Sequence, residues 1–221
     1  ILEDAELDYA VKACIEGRLL NNGQSCISAK RLIVTKNIIE SFTKKLIDNL
    51  VSKVMGDPHD DVDYGPLVSL SARSEVHKMV ESSIKMGAKL NLGGKIPNIE
   101  GAYYPITVLS KVQPGMPAFE EEIFGPVFSI IEANDNDHAI DLANNTKYGL
   151  GAAVFSSNLS GGKKIAKDKI QAGVCFVNDY VKSDPRLPFG GVKMSGYGRE
   201  LSGYGLMEFV NIKTIVVKNN K

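Results

Sequence analysis

The chain has 221 residues, with 26 Lys and Arg against 26 Asp and Glu, 43% hydrophobic residues, three His, three Cys and no Trp. A formal charge of zero gives no broad basic field for phosphate backbones, so a nucleic-acid partner is not expected. Apolar runs such as Leu32 to Val34 and Val127 to Ile131 are strand-sized and far below a membrane span, so no membrane partner is expected either.

Three Cys close no disulfide framework, and Ile1-Leu2-Glu3-Asp4 has neither the basic start nor the apolar centre of a signal peptide, which points to a cytoplasmic location. The start at Ile rather than Met leads us to expect a fragment. From Ala5 to Leu20, apolar residues Leu7, Ala10, Val11, Cys14, Ile15 and Leu19 fall at helical spacing, and Asn21-Asn22-Gly23 should stop the helix. Arg31 to Val34 reads as a strand. Asn37 with Glu40 opens a second helical stripe that runs from Ile38 to Val54. A helix near Ala72 to Lys85 follows, then strands at Lys89 to Leu92, Ile106 to Leu109 and Val127 to Ala133. Asp135 to Lys147 reads as a helix, Ala152 to Phe155 as a strand, Lys163 to Gln171 as a helix and Val174 to Asn178 as a strand. This alternation predicts an α/β fold with a doubly wound, mostly parallel sheet. Ile212 to Val217 has the β-branching of a terminal strand that needs a partner. We therefore expect one domain over residues 1–209 and a C-terminal strand and tail over 210–221.

Three stretches can carry chemistry. In Asn22-Gly23-Gln24-Ser25-Cys26 a thiol sits in a loop of small residues after a helix. A nucleophilic thiol needs such access, and the Cys26 amide is one donor for a developing oxyanion. A free Cys is also often only a small buried hydrophobe, which is the preferred reading for Cys14 and Cys175. The second stretch is the acidic run Glu120-Glu121-Glu122 before Ile123-Phe124-Gly125-Pro126-Val127, which on its own reads more simply as a solvated turn. The third is the glycine-rich Pro188-Phe189-Gly190-Gly191 to Gly198-Arg199-Glu200, which lacks the spacing of a phosphate loop. His59, His77 and His138 are too scattered to form a metal set, so no metal is expected. No Gly-x-Gly-x-x-Gly stands in a strand-to-helix context.

Taken in order, Asn22 to Cys26 with Arg31, Glu121 to Val127, and Pro188 to Glu200 resemble the aldehyde dehydrogenase superfamily over nearly the whole chain. The resemblance implies that Cys26 is the catalytic nucleophile, attacking an aldehyde to give a thiohemiacetal and then a thioester. It implies that Glu122 binds the nicotinamide ribose of NAD or NADP, with Phe124 beside the nicotinamide, and that Phe189 lies near the aldehyde. It further implies that the general base and the dinucleotide-binding domain lie upstream of residue 1. The isolated chain is then expected to have little turnover, with the cofactor held mainly by the missing part, and the C-terminal strand to serve homo-oligomerisation. Ser25 and the run Val181 to Phe189, containing Ser183, look most like succinate-semialdehyde dehydrogenases. Hydroxyls at Ser25 and Ser183 suit a substrate carboxylate, or equally suit tight turns. Two other functions stay open: a non-catalytic oligomerisation module, and a cofactor-independent thiol esterase.

Overall fold

The computed structural model describes residues 1–219. In chain order the elements are α1 (Leu7–Leu19), β1 (Arg31–Thr35), α2 (Ile39–Leu50), α3 (Leu70–Lys85), β2 (Lys89–Leu92), β3 (Thr107–Ser110), α4 (Pro117–Glu120), β4 (Val127–Ala133), α5 (Asn136–Asn144), β5 (Tyr148–Gly149), β6 (Gly151–Val154), α6 (Leu159–Asp168), β7 (Val174–Val177), β8 (Val192–Lys193) and α7 (Ser202–Met207). The central sheet has the order β1-β4-β3-β2. Its β1/β4 and β4/β3 ladders are parallel, and only β2 runs antiparallel, against β3. A second parallel pair joins β6 to β7, and β5 pairs antiparallel with β8.

Alternation along the buried strands sends successive side chains to opposite faces. Leu32 and Val34 of β1 pack with Val11, Cys14, Phe42 and Leu46 from α1 and α2. Ile33 faces the other way, into a layer built with Val76, Val80, Phe119, Ala139 and Leu142 from α3, α4 and α5. Helices thus cover both faces, as the α/β reading expects. Near-continuous apolar strands such as Val127-Phe128-Ser129-Ile130-Ile131 are the sequence trace of this double burial.

Several boundaries differ from the sequence expectation for local reasons. Helix α5 stops at Asn144 rather than Lys147, because the Arg31 guanidinium donates to the carbonyls of Leu142, Ala143 and Asn145 and closes the helix end. Helix α6 starts four residues early: the Asn158 side chain accepts from the Gly161 N–H, a cap that outweighs two glycines in the first turn. Residues 211–219 form no strand within the chain, and Ile212, Ile215, Val216 and Val217 are exposed. An edge strand forms only against a partner, and none is offered from within the chain.

Candidate active site

The segment between α1 and β1 carries Cys26, and its conformation is fixed from both sides. Asn21 and Asn22 take left-handed φ of 51° and 56°, and Gly23 follows at 77°; Asn is the non-glycine residue that most readily accepts this region. The Asn22 carboxamide then ties the turn to the 56–68 loop, donating to the Pro66 carbonyl at 3.1 Å and accepting from the Gly65 N–H at 3.1 Å. Gly23 packs directly on Gly125: a Cβ there would stand 2.3 Å from the Gly125 oxygen. The thiol loop and the acidic Phe-Gly-Pro stretch, almost 100 residues apart in sequence, are thereby brought together.

Beneath the loop lies Arg18, whose side chain is 0% exposed. Its Nε donates to the Val127 carbonyl at 2.7 Å, one terminal nitrogen to the Ser28 hydroxyl at 2.9 Å and the other to the Ile123 carbonyl at 2.8 Å. Burial pushes the guanidinium down to about 9, with the Glu122 carboxylate opposing the shift. Above it, Lys30 donates to the carbonyls of Ser25 and Cys26, both at 3.0 Å, and pairs with Glu122 at 3.1 Å. Its ammonium also lies 5.3 Å from the centre of the Phe124 ring. Burial, reinforced by Arg18, holds Lys30 below the usual lysine range, against the pull of Glu122. Two cations thus hold the loop from below and beside it.

Of the three thiols, only Cys26 is exposed. Burial raises Cys14 to about 12 and Cys175 to about 11, so both stay protonated and inert near neutrality. Among the described residues the Cys26 N–H takes no intramolecular acceptor, which leaves it available to a bound carbonyl oxygen. Cys26, Lys30 and Glu122 line one end of a cavity of about 430 Å³. Ser25 stands beside that end, half-buried, and Phe124 is partly exposed over Lys30. Ser183 is exposed, and Phe189 is half-buried and bridged to Glu200 through its backbone; neither lines the cavity. Sequence reasoning missed Arg18 and Lys30. The signal for Arg18 was its position four residues after Cys14 on the buried stripe of α1, where an unpaired charge is not tolerated. Lys30 left no comparable signal.

Residues 1–215 match the model of the aldehyde dehydrogenase family. The chain belongs to the aldehyde dehydrogenase family. Among its relatives is the succinate semialdehyde dehydrogenase [NAD(P)+] Sad of Escherichia coli strain K12, 44% identical over 216 residues that make up 97% of this chain and 46% of the relative. The succinate-semialdehyde dehydrogenase [NADP(+)] 1 of Mycobacterium tuberculosis is likewise 44% identical, over 97% of this chain and 47% of its own. Among solved structures, the succinic semialdehyde dehydrogenase of Streptococcus pyogenes in complex with NADP+ superposes with a TM-score of 0.94 at 38% identity, covering 99% of this chain and 48% of that one. This aldehyde dehydrogenase chain spans about half the length of the relatives it matches. Among its described residues, no helix is long and apolar enough to cross a membrane.

Proposed function

We propose that this chain is the nucleophile-bearing part of an NAD(P)-dependent aldehyde dehydrogenase that oxidises succinate semialdehyde to the dicarboxylate, with Cys26 as the nucleophile. The observation that carries the reading is the arrangement at Cys26: an exposed thiol and an unengaged N–H on a loop that Arg18 and Lys30 hold from inside. The exposed Cys26 thiol gives its proton to solvent and its sulfur forms a bond to the aldehyde carbon while the carbonyl electron pair moves to oxygen, where the Cys26 N–H donates a hydrogen bond to it. Carbonyls anchored by Lys30 keep that N–H from turning away as charge builds.

Glu122 and Phe124 fit a nicotinamide nucleoside. The Glu122 carboxylate is about one-third exposed, pairs with Lys30, and presents acceptors to sugar hydroxyls. Phe124 offers a partly exposed ring beside it. A dinucleotide held there would supply the acceptor for the hydride of the Cys26 adduct carbon. The thioester left on Cys26 then takes up water, releasing the carboxylic acid and restoring the thiol. The succinate-semialdehyde relatives support the substrate, and Ser25 beside the nucleophile and Ser183 are the hydroxyls proposed for its carboxylate. Phe189 is proposed as the aromatic neighbour of the aldehyde.

Because the chain spans about half of its relatives, we expect the purified 221-residue protein to turn over aldehyde with NAD or NADP at well below roughly 1 per second, the lower end of ordinary enzyme rates. Cofactor reduction at or above that rate contradicts the reading of a partial catalyst. The esterase alternative separates in the same preparation: steady hydrolysis of an aryl ester with no cofactor, lost in Cys26→Ser, would support it instead.

A further inference from the structure

One amine meets the thiol loop, the acidic run and the aromatic ring together. Lys30 stands just ahead of β1, and its side chain turns back over the loop with only 17% of it exposed. Its ammonium carries three protons. Three oxygens lie close to it: the carbonyls of Ser25 and Cys26 at 3.0 Å each, and Glu122 Oε1 at 3.1 Å. The Ser28 carbonyl follows at 3.5 Å and the centre of the Phe124 ring at 5.3 Å. Each proton therefore has an acceptor of its own, and the acceptors come from stretches far apart in sequence. A lysine is ordinarily a flexible, well-hydrated cation, so such a fixed seat needs all of its partners.

The neighbouring charges leave this task to Lys30 and Glu122. In the acidic run, Glu121 pairs with Lys147 at 3.0 Å and Glu120 accepts from the Gly115 N–H at 2.8 Å, so both are engaged elsewhere. Arg18 spends its donors on Val127, Ser28 and Ile123. Glu122 is the carboxylate that favours the charge of both Arg18 and Lys30. The Ser25 contact has a further consequence through the planar peptide bond. The Ser25 carbonyl and the Cys26 N–H belong to one rigid unit and point in opposite directions, so a donor that fixes the carbonyl also aims the N–H. Lys30 fixes the next peptide plane as well, through the Cys26 carbonyl.

We propose that Lys30 is a positioning residue shared by the two halves of the site, joining the backbone that presents the Cys26 thiol and N–H to the carboxylate of Glu122 through one ammonium. The proposal rests on the reading of Cys26 as nucleophile and Glu122 as sugar acceptor, and adds the link between them. Its hold on the Ser25 carbonyl aims the oxyanion donor and polarises the same peptide, which strengthens that N–H as a donor. Its pairing through Oε1 leaves the rest of the carboxylate's acceptor capacity to sugar hydroxyls. A hydroxyl bonded there draws on the charge that Lys30 faces, and the ammonium then leans more on the two loop carbonyls. A change at Glu122 is thus felt at the thiol.

The test is a double-mutant cycle on the intact 221-residue chain, read as the rate of Cys26 alkylation by iodoacetamide at neutral pH, with the modified thiol located by peptide mass spectrometry. Buried Cys14 is the internal check on folding, since it stays slow only while the chain is packed. Lys30→Met should slow Cys26 at least about fivefold, and Lys30→Arg, which keeps a cation and several N–H donors, should recover most of that loss. Glu122→Gln should speed Cys26 about threefold or more when Lys30 is present, and less than about 1.5-fold when combined with Lys30→Met, because the carboxylate acts on the thiol through the ammonium. If Lys30→Met also speeds Cys14, Lys30→Gln takes its place in the cycle. An unchanged Cys26 rate without Lys30, no recovery in Lys30→Arg, or an equal Glu122→Gln factor with and without Lys30 would overturn the proposal. Neither aldehyde nor cofactor enters the measurement, so the cycle can fail while Cys26 forms an aldehyde adduct, and hold where no adduct forms.

Discussion

Arg18 is the residue on which the proposed catalytic loop depends. It is wholly buried, yet none of its three hydrogen bonds goes to a carboxylate; all go to neutral oxygens, two of them carbonyls of the 123–127 stretch. Arg18→Met fills much of the same volume but leaves those oxygens without their donor, so we expect a loss of about 3 kcal/mol or more in urea unfolding. Lys in its place restores the charge but not the planar fork, and should recover only part of the loss. A change below about 0.5 kcal/mol in Arg18→Met would show that the loop stands without it. At this scale the sequence was legible only where a side chain's chemistry is unusual for its setting. A thiol among small loop residues announced Cys26, and Gly23 announced a tight turn. Lys30 did not announce itself, because an amine four residues after a thiol becomes a clamp only once the loop folds back to present the carbonyls of Ser25 and Cys26 to it.

At the level of elements, the closest backbone approach between the thiol loop and the 123–127 stretch is a glycine contact, added to the links through Arg18 and Lys30. Gly23→Ala places a Cβ against the Gly125 carbonyl at a φ of 77°. Neither the strain nor the overlap can relax without moving one stretch off the other. We expect a cost of about 2–4 kcal/mol, the sum of a left-handed backbone penalty and an overpacking penalty, read as a lowered melting temperature. Slower alkylation of Cys26 should accompany it, as the loop shifts. The helices and central strands were readable from periodicity because each has one dominant buried stripe or a continuous apolar run. The short pieces β5, β8, α4 and α7 were not. Tyr148–Gly149 and Val192–Lys193 pair only with each other, at long range, and Pro117–Glu120 is a single turn whose Pro117 starts it without any apolar period.

For the whole molecule, the exposed C-terminal segment argues for self-association. Phe209, Ile212, Ile215, Val216 and Val217 are all largely exposed, an apolar run that a lone soluble chain rarely presents to water. We propose that it adds a strand to a second copy, as the sequence led us to expect. A chain ending at Phe209 should then elute as a smaller species than the intact chain in size-exclusion chromatography, with its far-UV spectrum otherwise retained; unchanged elution would remove the strand from the assembly. The α/β class was legible in the alternation of helical and strand-like segments, and the family in three motifs that stand in one order along the chain. Which residues surround the thiol was not, because Arg18, Cys26, Lys30 and Glu122 meet only through the packing of α1 against the sheet.

The central claim is that Cys26 adds covalently to an aldehyde, and it is tested most directly by carbon NMR of the intact 221-residue chain mixed with succinate semialdehyde labelled at its aldehyde carbon. The account predicts a protein-bound thiohemiacetal resonance that is present in the unaltered chain, Cys14→Ser and Cys175→Ser, and absent in Cys26→Ser. No adduct in the unaltered chain, or an adduct that survives in Cys26→Ser, would contradict it.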